Sequence, residues 1–183
     1  MSSPHKIWTI GHSTHSSHEF LTLLGAHDVQ AVADVRRFPA SRRQPQFNEA
    51  TLKGTLAHAK LGYRWFEALG GRRTASPDSV NTAWRNASFR GYADYMATDD
   101  FAAAFSELLD FTTRQRTAVM CAESLWWSCH RALISDALAF RGIEVLHILD
   151  EKPAKVHTYT AAASIIDGRL SYEKPEPQRA LPL

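Results

Sequence analysis

Short apolar runs alternate with amphipathic runs along most of this chain, and that alternation restricts the fold more than any other feature. Lys6–Ile10, Val29–Val35, Tyr63–Phe66, Thr117–Met120 and Ile143–Leu149 are short and rich in β-branched or aromatic residues, as strands are. Between them lie helical patterns. Ser17 is placed to cap His18–Ala26, where Phe20, Leu23 and Leu24 share one face, and Asn48 to cap a helix running through Ala59. Gly91–Thr113 reads as helix with a break near Thr98-Asp99, and Ser128–Arg141 as a helix stopped by Gly142. Strands that alternate with helices pair in parallel through right-handed crossovers. The expectation is a single α/β domain with a mainly parallel sheet flanked by helices, Rossmann-like or flavodoxin-like in its layering. Residues 1–150 carry this pattern. Residues 151–183 read as a C-terminal extension of weak periodicity, whose last ten residues include three prolines and suggest a loosely held tail.

At 183 residues the chain is long enough to bury roughly 70 % of its unfolded surface. No run approaches the roughly 20 apolar residues of a membrane span. The N-terminal residues Met1–Lys6 lack the apolar core of a secretory signal, so the expected compartment is the cytoplasm and no membrane partner is expected. A disulfide framework is not expected there, which leaves Cys121 and Cys129 free, metal-bound or catalytic. The net charge is only +2, yet its distribution is uneven. From Ala31 to Ala75, seven Arg and two Lys face Asp34, Glu49 and Glu67, whereas Asp94–Asp110 holds five acidic residues and no basic one.

In parallel sheets, ligands bind beyond the carboxyl ends of the strands. That rule selects Gly11-His12-Ser13, Asp34–Arg43, Leu69–Arg73, Cys121–Arg131 and His147. With Ser128 as N-cap, Cys129, His130 and Arg131 would lie in the first turn of a helix. Unpaired amides and the helix dipole favour an anion there and lower a thiol's pKa. Cys129 is then the candidate nucleophile, with His130 and Glu123 for acid–base work and Cys121 nearby. Arg131 follows Cys129 by two residues, unlike the phosphatase loop, where the arginine follows the cysteine by six. A buried structural cysteine beside a satisfied histidine is the competing reading. Zinc is the candidate cofactor: Cys121, Cys129 and His130, with His147 or His12, could make a tetrahedral set, although paired ligand motifs are missing.

The segment Arg36–Phe47 contains four arginines within eight residues, suited to bidentate phosphate contacts and to stacking on bases. Arg36 and Arg42 are the expected anion clamp with Arg131. Asp34 is expected to pair with one arginine and shape the loop around Ser41. Gly70 and Gly71 let backbone approach a ligand, while Trp126 and Trp127 could stack on a nucleotide or an unpaired base. His12 and Ser13 complete the expected substrate-binding set. His15, His18, His27, His58 and His157 read as surface residues. The expected partner is a phosphate-bearing small molecule or a nucleic acid. A non-catalytic nucleic-acid-binding module and a zinc-binding domain are the alternatives.

Several motifs taken together resemble a known family. They are Thr9-Ile10-Gly11-His12-Ser13, Asp34-Val35-Arg36, Pro39-x-Ser41-Arg42, Leu69-Gly70-Gly71, Gly91-Tyr92-x-x-Tyr95-Met96, Cys121-Ala122-Glu123 and Cys129-His130-Arg131. Their number and order resemble the domain of unknown function 488 family of uncharacterised bacterial proteins. The resemblance implies a compact α/β domain and marks these strand ends as hallmark positions. It implies no particular activity.

Overall fold

The computed structural model describes residues 5–174. Five parallel strands form the centre of one sheet: β1 (Lys6–Gly11), β2 (Ala31–Asp34), β3 (Gly62–Trp65), β4 (Thr117–Cys121) and β5 (Glu144–Ile148). The two-residue strand β6 (Lys155–Val156) adds antiparallel to β5, giving the order β3-β2-β4-β1-β5-β6. Strands β2 and β4 are buried along their whole length, as strands covered on both faces must be.

The chain first moves one way across the sheet, from β1 to β2 to β3, through α1 (Ser17–Ala26) and α2 (Glu49–His58). It then moves back, from β3 to β4 to β5, through α3 (Ala87–Met96), α4 (Asp99–Thr112) and α5 (Arg131–Phe140). Right-handed crossovers in opposite directions must use opposite faces. Accordingly Phe20, Leu24, Leu52 and Leu56 pack on one side, and Tyr92, Phe101, Leu108 and Leu133 on the other. The connections leaving β4 and its neighbours β1 and β2 diverge to opposite faces. A crevice opens there, at the end of β4 where Cys121 stands beside Gly11.

Local signals moved some boundaries. Ser16, not Ser17, caps α1, because Glu19 at the third helical position returns the bond and completes a capping box. Asn48 starts α2, but its side chain instead accepts the amide of Ser41. The break at Thr98 is real, with its hydroxyl capping α4. The larger change is at α5, which begins at Arg131 and not after Ser128. Residues Trp126–Ser128 form a 3-10 turn and Cys129 is extended, at φ −142°. The cap position falls to His130, whose ring is occupied elsewhere, and the first free amide is met by sulfur: Arg131 N–H reaches Cys129 Sγ at 3.4 Å.

Beyond residue 150 the chain packs back onto the domain. Strands β7 (Ser164–Ile166) and β8 (Arg169–Ser171) form a hairpin whose turn residues, Asp167 and Gly168, both have positive φ, as its tight turn requires. Tyr172 is buried. The proline-containing end from Pro175 onward lies outside the described residues.

Candidate functional site

A cleft of about 510 Å³ opens over the end of β4. Cys121, Cys129 and His130 meet on its floor, with one ligand atom from each lying within 4.8 Å of the others. His130 owes its orientation to the loop after β2. Its Nε2–H donates to the Val35 carbonyl at 2.8 Å, which turns Nδ1 toward Cys121 Sγ, 3.8 Å away. This tautomer follows from the carbonyl, which can only accept. Gly71 also lies against the Nδ1 side of the ring, and a Cβ there would meet Nδ1 at 2.8 Å. Tyr92 packs 5.1 Å from the His130 ring and donates its hydroxyl to the Leu69 carbonyl.

Arg131 is buried directly behind the thiols. Its Nε–H reaches Cys129 Sγ at 3.2 Å, and its Nη2 donates to the Glu123 and Ser124 carbonyls. Two cysteines this close cannot both ionise easily. The hydrogen bond from Cys129 brings the Cys121 thiol down to about 7, helped by Arg131 and the amides of Ala122 and Glu123 against the opposing effect of burial. Burial, with the Cys121 charge beside it, pushes Cys129 up to about 12. The pair therefore holds one negative charge far more readily than two.

Several expected site residues have other duties. Asp34 is fully buried and holds Arg36 through Nε and Nη2, the latter at 2.6 Å, while accepting the Tyr63 hydroxyl. Arg36 spends Nη1 on the Phe47 carbonyl and on His12 Nε2. It lines the cleft, but as a strut for the loop. His12 stacks on Phe47, with centroids 4.3 Å apart, and burial lowers its pKa to about 4. Ser13 turns the chain with φ 46° and bonds the Ala122 carbonyl. Ser41 shapes the loop by accepting the Gln44 amide. Arg42 is exposed and does not line the cleft.

Gly70 and Gly71 make room for protein rather than for a ligand: a Cβ on Gly70 would meet Arg37 Cα at 2.7 Å. Gly11 has the same function, since a Cβ there would overlap the Glu123 carbonyl. Glu123 is exposed at the cleft, and the orientation of His130 comes from Val35, not from Glu123. Trp126 does not face the cleft. It stacks on His147 with centroids 4.2 Å apart and planes at 6°.

His147 and His157 belong to a second buried polar chain on the same side of the sheet. Thr9 Oγ1 meets His147 Nδ1 at 2.7 Å, His147 Nε2 meets His157 Nδ1 at 3.0 Å, and His157 Nε2 meets Asp136 Oδ1 at 2.9 Å. Asp136 also accepts from Thr160 and Tyr172. Both nitrogens of His147 and of His12 are thus engaged, and neither can serve as the fourth ligand of a tetrahedral zinc set. His157 is buried by this chain, and His27 by its bond to the Asp150 carbonyl; neither is a surface residue.

Sequence reasoning did not single out the cleft wall formed by Asn86, Ser88, Phe89 and Tyr92. Its one available signal was the Gly91-Tyr92 motif. Nor did it weight Arg37 and Arg72, which line the cleft together with Arg36. Both guanidiniums sit 5.9 Å from the ring of Phe38, which is 62 % exposed.

Among the described residues, no helix is long and apolar enough to cross a membrane. No curated protein and no solved structure matches this chain. The family described as Domain of unknown function DUF488 matches residues 16–138, a span that takes in every element from α1 to most of α5 and both cysteines, and the chain belongs to that family.

Proposed function

We propose that this chain is an enzyme acting on a phosphate-bearing substrate, a nucleotide or nucleic acid, with Cys121 as its thiol nucleophile. The observation that carries this reading is the convergence of two thiols, His130 Nδ1 and the buried Arg131 on the floor of an open cleft. The nucleophile moves from Cys129 to Cys121, because Cys129 is the sulfur tied to Arg131 and Cys121 the one facing the imidazole. Cys121 sulfur attacks the electrophilic centre of the substrate. The departing group leaves with its electron pair and takes from His130 Nδ1 the proton that Nδ1 received from the Cys121 thiol, and water or an acceptor then frees the sulfur. Glu123, at the cleft edge, carries protons to and from solvent. Arg37 and Arg72 hold the phosphate at the rim, and Phe38 and Phe89 offer faces to a base.

The test is mass-spectrometric mapping of iodoacetamide labelling at pH 7. Labelling should fall on Cys121, several-fold faster than on a free cysteine peptide, and persist in Cys129→Ser. Labelling no faster than the peptide would defeat the nucleophile assignment.

A second reading is favoured by Phe38, exposed between two guanidiniums next to the exposed Arg42 and Arg43. Those residues suit a non-catalytic nucleic-acid-binding module. It would bind single strands with an affinity that falls steeply with salt and survives Cys121→Ser. Undetectable binding at low salt removes it.

A further inference from the structure

We propose that Cys121, Cys129 and His130 form a binding site for one thiophilic divalent cation of the zinc class, with the fourth coordination position open to the cleft. This goes beyond the nucleophile reading and does not rest on it.

The geometry is the first argument. Zinc bonds of about 2.3 Å to sulfur and 2.0–2.1 Å to nitrogen, at tetrahedral angles, place those two atoms about 3.6 Å apart. Cys121 Sγ and His130 Nδ1 are 3.8 Å apart, and all three donor atoms fall within 4.8 Å. A cation could be seated by side-chain adjustment alone.

The surroundings of the donors are the second argument. A ligating histidine works best when its other ring N–H is held by a carbonyl or carboxylate, which fixes the free nitrogen on the metal. Val35 does this for His130 at 2.8 Å. Two thiolates also need compensation for their charge, and Arg131 supplies two N–H groups to Cys129 Sγ at 3.2 and 3.4 Å. Gly71 stands against the imidazole at the distance only a glycine allows.

The third argument concerns coordination number. His12 and His147 have both ring nitrogens engaged elsewhere, and among the described residues three potential ligands converge here. All three line the cleft. Three ligands with one open position is the pattern of an exchangeable or reactive zinc site rather than of a closed structural one. Binding converts both thiols to metal-bound thiolates and releases their remaining protons to solvent. The same event draws a sulfur lone pair and the thiolate charge onto the cation, and so lowers the nucleophilicity of Cys121. Cation binding and thiol chemistry at Cys121 therefore compete.

The experiment is a titration of the full chain, reduced and freed of metal with a chelator, using Co²⁺ and then Zn²⁺. One Co²⁺ per chain should bind, with a thiolate-to-cobalt charge-transfer band and the intense visible bands of a tetrahedral site, and Zn²⁺ should displace it. Zn²⁺ should also protect Cys121 from iodoacetamide. Cys121→Ser should abolish the charge-transfer band of that sulfur, and His130→Ala should weaken binding by at least about tenfold. Absence of stoichiometric uptake by the wild-type chain, whose folding is not in question, overturns the proposal. So does uptake that persists unchanged in a Cys121→Ser, Cys129→Ser double variant. Rapid labelling of the metal-free protein without cobalt binding defeats this site alone; cobalt binding with slow labelling defeats the nucleophile alone.

Discussion

Two polar clusters lie on the same side of the sheet, and they use similar residues to opposite ends. In the chain Thr9–His147–His157–Asp136, every ring nitrogen and both carboxylate oxygens have a partner inside the protein. At the floor of the cleft, Cys121 Sγ meets His130 Nδ1, Cys129 and the amides of Ala122 and Glu123, and both Cys121 and His130 line the open cleft. Saturation, more than residue type, separates a clamp from a site that can act on something. The first cluster ties the segment after residue 150 to α5 and β5. The second leaves a sulfur and a nitrogen available.

The largest expected effect tests the clamp. Asp136→Ala strands His157, Thr160 and the Tyr172 hydroxyl together, and should lower stability by about 3–5 kcal/mol, as loss of one partner of a buried pair does. Urea unfolding measures it. A loss below about 1 kcal/mol would mean that the hairpin segment is held by other contacts.

Acid should act next. Burial lowers His12 to about 4, and burial with His157 and Arg131 nearby lowers His147 to about 3. In the unfolded chain both histidines take up a proton below about pH 6.5. Between pH 6.5 and 4 the unfolded state therefore binds more protons, and stability must fall as pH falls. Each histidine contributes a slope of up to about 1.4 kcal/mol per pH unit, for a combined loss of about 2 kcal/mol or more by pH 5. Equal unfolding midpoints at pH 7 and pH 5 would contradict the closed, neutral state of these rings.

Gly71→Ala probes the open cluster. Its Cβ must displace the His130 ring from 2.8 Å, at a cost of about 1–3 kcal/mol, and should slow iodoacetamide labelling of Cys121 several-fold. Labelling unchanged by this substitution would show that His130 Nδ1 does not govern the sulfur. The smallest effect is expected at the rim. Arg42→Ala should change stability by no more than about 0.5 kcal/mol. It should also leave protection of Cys121 by inorganic phosphate intact, whereas Arg72→Ala should reduce that protection. The reverse order would return the anion clamp to the Arg42 side of the loop.

Much of this architecture was legible locally. The helix through His18–Ala26 and the break at Thr98 are patterns within a few residues, and the structure has both, with α1 capped at Ser16 instead of Ser17. The start of α5 was not legible. Ser128 is a good cap in isolation, but the 3-10 turn of Trp126–Ser128 and the sulfur of Cys129 take over its role. Gly70 and Gly71 were readable as a close approach, but not as an approach to Arg37 and His130. Of the arginines in the loop after β2, spacing could not say which would be consumed by Asp34.

By itself, the sequence determined a layered parallel sheet and put cysteine, histidine and arginine near its strand ends, because strand and helix periodicities are short-range. Only the tertiary structure decided which of those groups stay available. Crossovers bring Val35 and Gly71 to His130, and Thr9 and His157 to His147, across separations that no local pattern encodes. Hydrogen-bond saturation is set by those long-range encounters. They turned His12, Asp34 and Arg36 into framework and left Cys121, Cys129 and His130 facing the cleft.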